Sequence, residues 1–230
     1  METGRGGVEA LEPRGVGLNT VEQVRPPGAW ALKICLTGFT GSGKSTLARR
    51  LAAHYGIAYV SGGNVLKSLI GGEEALRDPG WWEREGGKKA MELRRTDPSF
   101  DRRVDEELMR LAAEKGDVVL DSWTMAYLLE AEDKVAIFLK ADLDVRAQRV
   151  AKRDGTTVDE AREAIVRKDR ETVELYHRLY GFKLGEDLSP FNLVLDTSKL
   201  SADETFDVVR RFIDYWFDLS WPGGGSPDGA

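Results

Sequence analysis

The chain has 230 residues, 41% of them hydrophobic, which suffices for one well-buried domain without disulfide or metal staples. A formal net charge of -6 gives no general attraction to nucleic acid. The single cysteine, Cys35, has no partner for an internal disulfide. There is no run of about 18 apolar residues, and the N-terminus lacks an apolar signal core. These features point to a cytoplasmic protein without a membrane partner, expected as a monomer.

Residues 1–29 are rich in Gly, Glu, Arg and Pro without sustained periodicity and read as a flexible leader. A β-arm around Val16-Gly17-Leu18 and Val21 is the other reading. Leu32-Lys33-Ile34-Cys35-Leu36 is a short apolar run of strand type. Thr46 to His54 places Leu47, Ala48, Leu51 and Ala52 at helical spacing. Between them lies Gly38-Phe39-Thr40-Gly41-Ser42-Gly43-Lys44-Ser45-Thr46, which fits the Walker A pattern.

Each residue type in that loop has a mechanical reason. Gly38, Gly41 and Gly43 let successive backbone N–H groups turn inward toward an anion, with Thr40, Ser42 and Thr46 completing the loop. Lys44 reaches the β- and γ-phosphates as a mobile point charge. Ser45 offers a hydroxyl to Mg²⁺, and the helix that begins there aims its positive end at the phosphates. The expectation is binding of ATP with Mg²⁺ as cofactors. The alternative, a chance glycine turn before a helix, lacks the rest of the pattern.

Ala58-Tyr59-Val60 reads as a second strand ending at Ser61-Gly62-Gly63. A short helix carrying Val65, Leu66, Leu69 and Ile70 should follow and stop at Gly71 and Gly72. Glu73 to Arg95 reads as a mobile insertion that closes over a ligand, in which Trp81 and Trp82 either stack on a base or pack on the domain. Phe100 to Lys115 is helical, with Val104, Leu108, Leu111 and Ala112 as its apolar stripe and its acids and arginines as a solvated face. Val118-Val119-Leu120-Asp121 and Val135 to Leu139 read as buried strands. Asp142 caps a helix over Leu143 to about Arg153, ended by Gly155. Capping boxes at Thr157–Glu160 and Ser201–Glu204 open helices reaching about Tyr180 and Trp216. Leu193 to Asp196 is the last strand. Residues 220–230 read as a disordered tail.

Strands alternating with helices predict a three-layer α/β P-loop fold of about five parallel strands with helices on both faces. The folded unit spans 30–219, with an acceptor-binding insertion at about 64–103 and a lid at about 155–181. Ligands should bind beyond the carboxyl ends of the strands. The glycine loop, Ser61 to Asn64 and Asp121 all fall there. No Asn-Lys-x-Asp appears, so guanine recognition of the GTPase type has no support. Arg146, Arg149, Arg153, Arg167 and Arg170 form a late arginine run. Phosphoryl transfer needs cations on the moving group, and a closing lid can deliver them. The alternative is a solvated face balanced by Asp144, Asp169 and Glu171. Asp121 is read first as a metal contact, second as a general base, third as a helix cap.

Together, Leu36 to Thr46, Tyr59 to Gly63, Asp97-Pro98-Ser99-Phe100-Asp101-Arg102-Arg103-Val104-Asp105, Val118 to Asp121, Asp144 to Gly155, Tyr176 to Gly181 and Asn192 to Ser198 resemble the archaeal-type cytidylate kinase family of nucleoside monophosphate kinases. The resemblance covers roughly 32–213. It implies ATP-dependent phosphoryl transfer, ordinarily to cytidine monophosphate, with Mg²⁺. By motif match, Lys44 and Ser45 hold phosphates and metal, Arg149 and Arg153 match donor-side and lid arginines, and Arg167 and Arg170 match the lid segment.

The acceptor side departs from the family. Its Gly-Asp-x-x-Arg pattern becomes Gly63-Asn64-x-x-Lys67, its Glu-Gly-Arg becomes Asp121-Ser122-Trp123, and its lid Arg-Tyr becomes Leu175-Tyr176. Lys67 does not reproduce a bidentate guanidinium fork. Ser61, Gly63, Asn64, Lys67 and Trp123 are the candidate acceptor-binding residues. Three functions stay open. One is a nucleotide kinase of this family. The second is a same-fold kinase that phosphorylates a hydroxyl on a small metabolite, a modified nucleoside or a nucleic-acid base, with Asp121 as general base. The third is a nucleotide-dependent switch without efficient transfer.

Overall fold

The computed structural model describes residues 31–77, 81 and 85–219. The readings of the leader, the tail and Trp82 lie outside these residues. The order is β1 (Lys33–Gly38), α1 (Lys44–Tyr55), β2 (Ala58–Ser61), α2 (Gly62–Arg77), α3 (Glu85–Thr96), α4 (Ser99–Lys115), β3 (Val118–Asp121), α5 (Met125–Leu128), β4 (Lys134–Lys140), α6 (Leu143–Asp154), α7 (Val158–Tyr180), β5 (Leu193–Asp196) and α8 (Ala202–Trp216).

The five strands form one parallel sheet in the order β2-β3-β1-β4-β5. The strands alternate their side chains between two cores. Ile34, Leu36, Val119, Ile137 and Leu139 pack with α1 and α8 through Leu47, Leu51, Val209 and Ile213. Cys35, Val118, Leu120 and Ala136 pack on the other face with Leu66, Leu108, Ala112 and Met125. This is the three-layer architecture that the alternation of elements predicts. Cys35 is fully buried, and burial pushes its thiol up to about 12, so it is a packing residue.

Local signals set most boundaries. Both capping boxes are present, with Thr157 and Ser201 each accepting from the backbone N–H three residues on. Gly56, Gly155 and Gly181 close their helices in the left-handed region. Asp142 begins α6 without a side-chain cap bond.

The segment after β2 differs from expectation. Gly72 takes φ 66 and kinks the chain, but helical turns resume to Arg77 because Ala75 is buried beyond the kink. Within the insertion, residues 85–96 form α3. Trp81 packs: its indole lies so close over Gly86 that a Cβ there would fall 2.2 Å from the ring nitrogen. No helix among the described residues is long and apolar enough to cross a membrane.

Candidate functional site

The register of the sheet brings the chemistry to one edge. Leu36 and Ser61 both pair with Asp121, so β2 and β3 end level and β1 runs two residues further into the glycine loop. The glycine loop leaves β1 there and turns into α1. Gly41 and Gly43 take φ 80 and 96, the left-handed values that let the loop curl. A Cβ on Gly41 would sit 2.9 Å from the Arg146 carbonyl oxygen, whereas one on Gly43 would meet nothing within 4 Å. The loop is therefore closed toward α6 and open at Gly43. The hydroxyls of Thr40 and Ser42 are buried there without a hydrogen-bond partner, as expected of a cradle built for a polar guest.

Lys44 Nζ lies 2.9 Å from Asp121 Oδ1. Tyr59 donates its hydroxyl to Asp121 Oδ2 at 3.1 Å, and Ser45 bonds the same carboxylate. Burial alone would raise the Asp121 carboxyl. Lys44, Ser45 and Tyr59 together overcome that and hold it below the usual carboxylate range. The opposite effect falls on Tyr59, whose phenol burial and the neighbouring Asp121 charge push up. Asp121 is thus an ionised carboxylate beside a serine hydroxyl and a lysine at the mouth of the loop. That hard oxygen donor set fits Mg²⁺, which takes few protein ligands and shares phosphate oxygens. No group of three or more His, Cys, Asp or Glu side chains that could hold a metal occurs among the described residues.

The arginine run separates in space. Arg146 pairs with Asp169 at 2.6 Å and donates to the Thr40 carbonyl, while the Thr40 N–H donates to Asp169 at 3.2 Å. This ties α6, α7 and the glycine loop together, and both side chains are mostly buried. Arg149 donates to the hydroxyl and carbonyl of Thr197 and to the Leu200 carbonyl, and Thr197 bonds the Ser42 carbonyl. Arg149 therefore stands behind the loop. Arg153 is exposed and bonds the adjacent Asp154. Arg167 and Arg170 are exposed on α7 and are not brought to the loop. Asp169 is the counter-charge of Arg146, but the pair is mostly buried rather than part of a solvated face, and Asp144 pairs with Arg162, outside the run.

On the acceptor side, Ser61 ends β2, Gly63 and Asn64 are exposed in the first turn of α2, and Lys67 is buried with its Nζ 5.9 Å from the Trp81 ring centroid. Trp123 follows β3 and meets Phe39 edge to face at 6.0 Å. The solvated face expected on α4 is partly wrong. Asp101 and Asp105 are each 3% exposed. Arg94 grips both oxygens of Asp101 at 2.7–3.1 Å and donates to the Tyr176 hydroxyl at 3.3 Å. Asp105 accepts from Thr124 at 2.5 Å and from Tyr180 at 2.6 Å. Burial raises the Asp105 carboxyl to about 6, with the Asp101 charge adding to the rise, against the opposing effect of the two hydroxyls and Arg94. The motif reading missed Arg94, Asp101, Asp105 and Tyr180 as a polar cluster. One signal was present: Asp101 and Asp105 share the helical phase of Val104, Leu108 and Ala112.

Residues 33–199 match the model of the cytidylate kinase-like family. The chain belongs to that family. A cytidylate kinase of Methanopyrus kandleri is 40% identical over 190 residues, covering 79% of this chain and 92% of the relative. A cytidylate kinase of Pyrococcus furiosus is 36% identical over 184 residues, covering 80% and 89%. A crystal structure of an uncharacterized protein from Eubacterium ventriosum superposes with a TM-score of 0.54 at 19% identity, over 80% of this chain and 98% of that one, and bears on the fold alone. This cytidylate kinase-like chain is an ATP-dependent kinase, and its glycine loop, Lys44 and Asp121 meet at one strand edge.

Proposed function

We propose that the kinase transfers the γ-phosphoryl group of ATP to a cytidine monophosphate-type nucleotide, with Mg²⁺. The observation that carries this reading is the Lys44–Asp121–Ser45 constellation at the open end of the glycine loop, in a chain whose relatives are cytidylate kinases. In this reading the backbone N–H groups from Gly41 to Thr46 hold the phosphates. Lys44 swings from Asp121 onto the transferring group, where charge spreads over its oxygens. Ser45 and Asp121 hold Mg²⁺, which would neutralise phosphate charge when bound. Arg149 fixes the loop from behind through Thr197. Arg153, Arg167 and Arg170 supply further cations when α7 and the turn before it approach the nucleotide.

Lys67 is the basic side chain that faces the acceptor phosphate, beside Ser61, Gly63, Asn64 and Trp123. An incoming monophosphate is already an anion and needs no base. The surroundings of Asp121 agree with that. A carboxylate held below its usual range and engaged by three donors suits metal contact better than proton abstraction. A hydroxyl acceptor, with Asp121 as base, is the second reading, favoured by the arginines missing at positions 67, 123 and 175.

The test is ATP consumption with Mg²⁺ against CMP, dCMP, UMP, AMP and a panel of nucleosides and hydroxyl metabolites. Turnover with CMP or dCMP is expected. Silence on every monophosphate with turnover on a hydroxyl compound would overturn the reading, and Asp121→Asn would then be tested as the loss of a base.

A further inference from the structure

The inner stripe of α7 packs on α6 through Ala161 and Ile165 and then runs past the glycine loop to α4. Asp169 touches the glycine loop through Thr40 and Arg146. Thr172, Tyr176 and Tyr180 follow at helical spacing on the same side. Tyr180 ends the stripe at Asp105. The eleven helical steps from Asp169 to Tyr180 correspond to ~16 Å of helix. That is long enough to lay a nucleoside monophosphate along it, with its phosphate toward the loop and its base toward Asp105.

Two features of this wall leave bonding capacity unused. Thr172 is 3% exposed, and its buried hydroxyl has no hydrogen-bond partner. A helical threonine ordinarily satisfies itself on a preceding carbonyl, and an orphaned buried hydroxyl costs about 1–3 kcal/mol. Asp105 is the second feature. Asp101, four residues before it, has a guanidinium fork, but Asp105 is held by two neutral hydroxyls. Each of its oxygens keeps a second lone pair. The Thr124 hydroxyl that binds it also meets the Ser122 hydroxyl at 2.9 Å, which lies beside Gly62 at the start of α2. Asp105 is thereby joined to the end of β3 that carries Asp121 and Trp123. The ring of Tyr180, whose hydroxyl holds Asp105, lies parallel to that of Phe182 within 9°.

We infer that this wall binds the acceptor nucleoside, with Asp105 accepting the exocyclic amino group of a cytosine-type base and the Thr172 hydroxyl making a second contact to the nucleoside. The inference rests on the reading of the acceptor as a nucleotide. A carboxylate is the natural partner for a cytosine amino donor, and it repels the carbonyl that uracil presents at the same place. Lys67 and the glycine loop would hold the phosphate end, so base selection and phosphoryl transfer are carried by different groups.

The experiment is steady-state kinetics of the full chain with CMP and UMP as acceptors, on wild type, Asp105→Asn and Thr172→Val. In Asp105→Asn, kcat/KM should fall about 10- to 100-fold for CMP and far less for UMP, with the KM for ATP unchanged. Thr172→Val keeps the shape and removes the orphan. It should fold at least as well as wild type while KM for CMP rises about tenfold and KM for ATP stays put. An unmoved CMP-to-UMP ratio in folded Asp105→Asn, or an unmoved KM for CMP in Thr172→Val, overturns the inference. Should Asp105→Asn fail to fold, Thr172→Val decides. Failure of the functional reading looks different: wild type itself would turn over no nucleoside monophosphate.

Discussion

Asp121 and Asp105 are both buried to within a few per cent, both end up beside a tyrosine hydroxyl, and their carboxyls move in opposite directions. The difference is the partner. Asp121 has the Lys44 ammonium at 2.9 Å and a hydroxyl from Ser45. Asp105 has only the hydroxyls of Thr124 and Tyr180, with Arg94 committed to Asp101. Burial raises both carboxyls, so it is the neighbouring cation that decides which one is carried below the ordinary value. The carboxylate beside the glycine loop is ionised well into acid, whereas the one on α4 takes up its proton near pH 6.

The most severe way to break the contrast is Lys44→Ala. It removes the cation that both the phosphates and Asp121 use, so transfer should fall by about 10³–10⁵-fold in the ATP-consumption assay. Asp121 would then keep only hydroxyl donors and should resemble Asp105, with its carboxyl raised. Next comes Arg94→Ala, which leaves Asp101 buried without its fork. A cost of about 3–5 kcal/mol in urea unfolding is expected, as for other broken buried pairs. A loss under 1 kcal/mol would show that Asp101 reaches water.

The pH dependence of Asp105 is a third, sharper test. Its folded carboxyl, at about 6, lies above the ordinary value of 3.8. The native protein therefore holds this proton more tightly than the unfolded chain between about pH 4 and 6. Its contribution is fully present below that window and is lost as pH rises through it, at up to about 1.4 kcal/mol per pH unit. Asp101 opposes ionisation and Arg94 favours it, so both must be intact. The stability difference between Asp105→Asn and wild type should thus grow in favour of the mutant from pH 4 to 6 and then level off. Asp121 works the other way: its contribution is present above the unfolded value and is lost as pH falls through its lowered folded value. Smallest is Ser201→Ala, which removes one capping bond from α8 and should cost about 1 kcal/mol without touching transfer.

The parts of the molecule that were legible in the sequence are those whose partners lie within a few residues. The glycine loop, both capping boxes and the buried strands depend on spacings of one to five positions, and each was found. The glycine loop and Asp121 could be placed at the same edge in advance because both follow from where parallel strands end, but the Lys44–Asp121 ion pair itself was not read. Arg94 and Asp101 could not be paired in advance, because the pairing needs the turn between α3 and α4 to fold one helix back on the other. Tyr180 with Asp105, and Arg146 with Asp169, span 75 and 23 residues and depend on where α7 lies. The kink at Gly72 shows the same limit. A glycine pair marks a break, but whether the helix resumes depends on what Ala75 packs against.

The one thiol of the chain sits in the middle of the central strand, sealed and protonated. A maleimide or iodoacetamide can reach it only when the sheet itself comes apart. Under native conditions the rate of alkylation would therefore follow the population of the open sheet, and a nucleotide that tightens the fold should slow the labelling. The protein carries its own single-site gauge of ligand binding, and it needs no engineered label.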